Sequence, residues 1–156
     1  GEERTTLPDE IVFSYGSRTM RNCIQILLLG YNQGYSSTEE YVEMVKRAKE
    51  FAYNGMCLII GRHAAADKIA ADKIIAEEVE FKKEFGMMFV SSREYMIAHG
   101  LKEAGIVPTV QDEQDIANGI IPSSLRADEA HFNSSGYQIY LNLIHRRLKE
   151  LGYVKN

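Results

Sequence analysis

Short apolar runs closed by small residues alternate along this chain with longer stretches in which apolar positions recur every three or four residues. "CIQILLLG" (Cys23 to Gly30), "MCLIIG" (Met56 to Gly61) and "GMMFVSS" (Gly86 to Ser92) are almost continuously apolar. A half-solvated strand would alternate apolar and polar residues, so runs this uniform predict strands covered on both faces. An earlier run, "EIVFSYG" (Glu10 to Gly16), predicts one more strand.

The intervening stretches predict helices. Ser37 and Glu40 form a Ser-x-x-Glu capping box, and Tyr41, Met44, Val45, Ala48 and Phe51 then repeat at helical spacing over about four turns. Gly55 ends that helix or opens the connection after it. The stretch after "RHAAADK" predicts a helix through about Glu84, with Ile75, Val79 and Lys82 on one stripe and Ile74, Phe81 and Phe85 beside it. "REYMIAHGLKEAG" reads as a short helix or two half-turns, and "IVPTVQDEQDIANGIIPSSLR" as a long ordered loop with one helical turn near Asp112 to Asn118. Tyr137, Tyr140, Leu141, Ile144, Leu148 and Leu151 predict a C-terminal amphipathic helix with Ser134 or Ser135 as its N-cap.

Strand and helix thus alternate three times, which implies an α/β fold with a mostly parallel sheet. Ligands of such folds sit beyond the carboxyl ends of the strands. "GYNQG", "GRHAA" and the segment preceding the last helix are expected to converge there. The 156 residues favour a single domain spanning 1–156, with the polar residues 1–9 loosely held.

Composition narrows the function classes. At 45% hydrophobic and 26% charged the chain is an ordinary globular sequence. Its net charge is −4, and its basic pairs (Lys46 and Arg47, Lys82 and Lys83, Arg146 and Arg147) are scattered among acids. A nucleic-acid footprint needs clustered positive charge, so nucleic acid is not expected as a partner. Cys23 and Cys57 both sit in strand-like runs, too far apart for a zinc motif, and read as buried structural thiols. No metal site is expected. No apolar run reaches the roughly 20 residues of a membrane span, and no signal peptide is recognisable, which leaves the compartment open.

"ADEAHFNSSGYQIY" carries the sharpest chemical signal. Asp128 and His131 stand three apart, just ahead of a helix, as an imidazole base and its carboxylate orienter do in acyl transfer. The same pair also suits a turn-capping Asp beside a packed histidine, and spacing alone does not separate the two. Asn32 lies just past a buried strand in a Gly-flanked loop, where its amide could meet an oxyanion or simply make the turn. His63 occupies the equivalent loop after the next strand, and Tyr31 and Tyr35 flank Asn32; these are candidate pocket residues, or plain surface and packing residues. His99 and His145 read as structural or solvated. The glycines match neither Gly-x-Gly-x-x-Gly nor a phosphate-cradling Gly-Lys-Ser/Thr loop, which argues against a nucleotide binder.

"LLLGYNQGY" resembles the Gly-x-Asn block of the SGNH hydrolases (GDSL-type esterases and lipases), and "SLRADEAHFNSSGYQIYLNLI" resembles their closing Asp-x-x-His block. The resemblance extends over about Glu10 to Tyr153. It implies a flavodoxin-like, three-layer α/β/α sandwich and a cofactor-free serine esterase acting on a small acyl ester or an acylated carbohydrate. It implies His131 as general base, Asp128 as its orienter, Asn32 as a side-chain oxyanion donor and Gly30 as the residue that allows close backbone approach.

Two departures stand out. Gln33 follows Asn32 where the family has Asp, and no Gly-Asp-Ser motif precedes "LLLGYNQGY". Ser14 lies within the predicted strand, and Ser17, a weak nucleophile candidate, lacks the strand-to-helix elbow that exposes one. The family's second glycine block is not recognisable either. The resemblance therefore implies an N-terminally incomplete fold with its serine upstream, in which this chain by itself is silent. The alternative is a catalytically inactive SGNH-like binding or structural module. An incomplete sheet would expose an edge, so an additional segment, a shifted Glu10 to Tyr15 strand or a second copy in a homo-oligomer is expected to complete it.

Overall fold

The computed structural model describes residues 20–31 and 34–155. The strand expected over Glu10 to Gly16, the loose segment 1–9, Ser14, Ser17, Asn32 and Gln33 all lie outside the described residues. The described fold is mixed α/β, built on a small parallel sheet of three strands, β1 (Gln25–Leu27), β2 (Cys57–Ile60) and β3 (Phe89–Val90), in the order β1-β2-β3. Ile26 lies opposite Leu58, and Ile59 opposite Phe89.

Helix α1 (Thr38–Lys49) joins β1 to β2, and α2 (Lys68–Phe85) joins β2 to β3. Right-handed crossovers that step the same way twice place both helices on one face of a sheet. Burial follows that rule. Cys57 and Ile59 of β2 pack with Tyr41, Val42 and Val45 of α1 and with Phe81 and Phe85 of α2. Leu58 and Ile60 pack instead with residues from later in the chain. These include Met96 and Leu101 of the helical run α3, composed of Ser92–Tyr95, a π-helical turn at Met96–Gly100, and Leu101–Glu103. They also include Ile139, Tyr140, Leu143 and Leu148 of α5 (Ser134–Glu150), which follows the two-turn α4 (Val110–Ala117). All four residues of β2 are buried, so each contributes to a core whichever way its side chain points.

β1 departs from the expectation of double coverage. Ile26 is 47% exposed and Leu28 44% exposed. Leu27 and Leu29 pack on the α1–α2 side, while among the described residues no strand pairs with the outer edge of β1. Cys23 is exposed rather than buried, whereas Cys57 has no exposed surface.

Two helical faces are also rotated from the sequence reading. On α2 the Ile74, Phe81 and Phe85 stripe is buried, together with Glu77 and Glu78, while Ile75 and Val79 face out. On α5 the buried residues are Gly136, Ile139, Tyr140, Leu143 and Leu148, and Tyr137 and Leu141 are exposed. The expected α1 box is modified: Ser37 Oγ accepts from the Glu40 amide, but Glu40 Oε2 accepts from Ser36.

Glu78 is buried because Arg93 is buried with it. Arg93 Nη2 donates to Glu78 Oε2 at 2.6 Å and Arg93 Nε to Oε1 at 3.2 Å, while Nη1 donates to the Gly119 carbonyl at 2.9 Å. The Ser91 hydroxyl donates to the same carboxylate. The cluster ties α2 to the start of α3 and to the connection after α4. Removing one member of a buried pair strands the other charge, whereas replacing both with apolar groups does not. Arg93→Met should therefore cost about 3–5 kcal/mol, and the Arg93→Met/Glu78→Leu double variant should recover most of that loss. Urea unfolding followed by circular dichroism checks this; a single variant within about 0.5 kcal/mol of the wild type contradicts it.

Candidate active site

The segment carrying Asp128 and His131 is shaped by what brackets it. Upstream, the Ser123–Leu125 turn is gripped by two acids of α4. Asp112 is fully buried and accepts from the Ser124 amide at 2.8 Å, the Ser124 hydroxyl at 2.7 Å, the Thr109 amide at 2.9 Å and the Thr109 hydroxyl at 2.7 Å. Burial pushes its carboxyl up, but the bonds from Ser124 and Thr109 outweigh that and hold it well below the usual carboxylate range. Asp115 accepts from the Ser123 amide and from Arg126 Nη2, each at 2.9 Å.

Downstream, Asn133 caps α5, so the expected Ser134 or Ser135 cap is corrected. Asn133 Oδ1 accepts from the Gly136 amide at 3.0 Å, while its Nδ2 donates to the Ser124 carbonyl at 2.8 Å. An amide side chain offers an acceptor to the helix and a donor to the preceding turn together. Gly136 is needed there, since a Cβ would stand 2.2 Å from the Leu125 carbonyl oxygen. The first turn of α5 is thereby pressed against the 123–125 turn, and residues 126–132 loop out between them. An antiparallel bridge from Arg126 to Phe132 and a 2.8 Å bond from the Ala127 amide to the His131 carbonyl close the loop at its base.

Within the loop Asp128 accepts three hydrogens. Its Oδ1 takes the Ala130 amide at 2.8 Å and the His131 amide at 2.7 Å, and His131 Nδ1 lies 3.0 Å from Oδ1 and 2.9 Å from Oδ2. The bond from the His131 ring, followed by the two amides, holds the Asp128 carboxyl down at about 2. An ionised carboxylate can only accept, which assigns the His131 proton to Nδ1 and leaves Nε2 with its lone pair. Among the described residues nothing hydrogen-bonds Nε2, and no serine hydroxyl bonds His131. Both side chains are well exposed, His131 at 67% and Asp128 at 58%.

The carboxyl ends of β1 and β2 reach this loop through Tyr31 and His63. The Tyr31 hydroxyl bonds His63 Nδ1 at 2.5 Å and accepts the His63 backbone amide at 3.2 Å. The His63 ring stacks on Phe132 at 4.2 Å between centroids and meets Tyr140 edge-on at 6.1 Å. Burial depresses the His63 imidazole to about 4; the nearby Ala130 backbone opposes the shift, and the neighbouring His131 adds to it. Burial likewise pushes the Tyr31 phenol far above its ordinary value.

The other sequence candidates separate from this group. Tyr35 stacks on Tyr41 at 4.3 Å and donates to Glu77, which is held by Arg62 Nη2 at 2.7 Å. Gly30 has φ +83° and lies against the Tyr41 ring, where a Cβ would come within 2.6 Å. Tyr41 in turn donates to the Leu29 carbonyl at 2.7 Å. Packing alone thus requires glycine at position 30. Two large hollows, of about 410 Å³ between β3, α3 and α5 and about 450 Å³ beside Glu103 and the first turns of α5, are lined by neither Asp128 nor His131. Among the described residues no group of three or more His, Cys, Asp or Glu side chains could hold a metal ion. No described helix is long and apolar enough to cross a membrane.

The chain matches no protein-family model, no curated protein and no solved structure. The site is therefore read from its own geometry. Sequence reading missed the Asp112 and Asp115 grip, although Thr-x-x-Asp at 109–112 is a capping-box pattern that marks the start of α4. It also left His63 without a partner, because Tyr31 is 32 residues away.

The depressed pKa of the half-buried His63 couples its protonation to folding. The unfolded imidazole protonates near pH 6.5 and the folded one only near 4. Between those values the unfolded chain holds the extra proton, so stability rises with pH and is lost on acidification. The His63 ring resonances should titrate near pH 4 by NMR, and His63→Phe should flatten the slope of stability between about pH 6.5 and 4. A midpoint above about 6 contradicts the assignment.

Proposed function

We propose that this chain supplies the histidine–aspartate half of a serine esterase site of the SGNH type, with His131 as general base and Asp128 as its orienter. The observation that carries the proposal is the Asp128 carboxylate bridging the His131 ring and the Ala130 and His131 amides. That arrangement fixes the imidazole rotamer, presents Nε2 as a base and stabilises the imidazolium once a proton is taken. A turn-capping Asp needs only the two amides; the ring contact is additional. The position beside Tyr31 and His63, at the carboxyl ends of two adjacent parallel strands, is where α/β folds bind ligands.

The family reading extends the fold to a flavodoxin-like three-layer α/β/α sandwich. The cores on either side of β2 support it. In this reading the exposed flank of β1, with Ile26 and Leu28, is completed by an upstream segment or a second copy. The nucleophilic serine also comes from upstream, since no Gly-Asp-Ser motif precedes "LLLGYNQGY". In this reading Asn32 is the side-chain oxyanion donor, Gly30 allows close backbone approach, and the substrate is a small acyl ester or an acylated carbohydrate. The reaction needs no cofactor: His131 removes the serine proton as the hydroxyl attacks the ester carbonyl, then delivers it to the leaving alcohol.

The test is a fluorophosphonate probe with peptide mapping on the complete polypeptide, alongside ester hydrolysis. A single labelled serine upstream of Gly1 is expected, with His131→Ala and Asp128→Asn lowering kcat by about 10²- to 10⁴-fold. An adduct at Ser17 would overturn the placement of the nucleophile. Neither adduct nor hydrolysis above background would leave an inactive binding module and overturn the esterase reading.

A further inference from the structure

The Asp128–His131 turn is fastened at its base but is otherwise exposed, with its two chemical side chains more than half in solvent. Burial therefore does little to fix where His131 stands relative to the strand ends. A general base works only within hydrogen-bond reach of its proton donor, so that placement needs another source. The source on this molecule is the His63 imidazole, which reaches the turn from the end of β2.

The Tyr31 hydroxyl accepts the His63 amide and is also hydrogen-bonded to Nδ1 of the ring. The same ring lies near the Ala130 backbone. Ala130 is itself one of the two amide donors that hold Asp128. The face of the ring rests on Phe132, the residue directly after His131. One half-buried imidazole thus links the end of β1, the end of β2 and the residue that follows His131.

We propose that His63 is a positioning residue for His131: held by the Tyr31 hydroxyl and stacked on Phe132, it sets where the Asp128–His131 turn sits relative to the carboxyl ends of β1 and β2. The functional meaning of this placement rests on reading His131 as the general base. The placement itself does not. His63 takes no proton from substrate, so its loss should misplace the base rather than remove it.

The experiment compares His63→Phe, His63→Gln and Tyr31→Phe by amide hydrogen exchange and by the 13C titration of Asp128, using the whole chain. Phe keeps an aromatic ring against Phe132 but loses the bond with Tyr31; Gln returns a polar side chain to the Tyr31 hydroxyl. His63→Phe should speed exchange of the Ala130 and His131 amides about tenfold while the α5 amides from Ile139 to Leu148 keep their protection. The Asp128 midpoint should move from about 2 toward the ordinary value of about 3.9. His63→Gln should restore most of both readouts, and Tyr31→Phe should fall between the two. Unchanged exchange at Ala130 and His131 in His63→Phe would overturn the proposal, as would a rise shared equally by α5. Neither readout uses ester turnover, so loss of the esterase reading leaves this result standing, and the reverse also holds. Where hydrolysis is measurable, His63→Phe should lower kcat more than it changes KM, and His63→Gln should recover it.

Discussion

Both sides of β2 must be covered by other parts of the chain. Four consecutive residues, Cys57 to Ile60, are buried on alternating sides, so two separate cores must be built against one strand. α1 and α2 supply one of them as a consequence of right-handed crossovers. The other has to come from the C-terminal half of the chain, from α3 and α5. That requirement carries the segment before α5 across to the strand ends. The candidate site is a by-product of covering Leu58 and Ile60.

Most of the secondary structure was legible because it rests on local rules. The Cys57–Ile60 strand, the Ser37-initiated helix and the long second helix follow from unbroken apolar runs and capping residues. Helix faces were harder. Period counting placed Ile75 and Val79 on a stripe, yet Glu77 and Glu78 are the buried neighbours, because Arg62 and Arg93 neutralise them. A buried carboxylate with a distant arginine partner leaves no local trace in the sequence. β1 failed for a related reason: an apolar run does not say whether both of its edges find a partner.

The site divides along the same line. Asp128 and His131 are three residues apart, so their pairing is local and readable. The elements that place the pair are not. Asp112 grips Ser124 from 12 residues away, and Tyr31 meets His63 across 32. Gly136 looks like a weak residue for the first turn of a helix, and only the Leu125 carbonyl pressed against it shows why it is there. These contacts together hold an exposed dyad in register with two strand ends without burying it.

The Asp128 carboxylate sets the tautomer of His131 so that Nε2 is free to act as a base. Long-range 1H–15N correlation spectra of the imidazole measure this directly, at a pH where the ring is neutral. The expected result is a protonated Nδ1 and an unprotonated Nε2 on His131, with Asp128→Asn shifting the balance toward the Nε2–H form. A wild-type His131 carrying its proton on Nε2 would contradict it, because that nitrogen could then accept no proton from a serine.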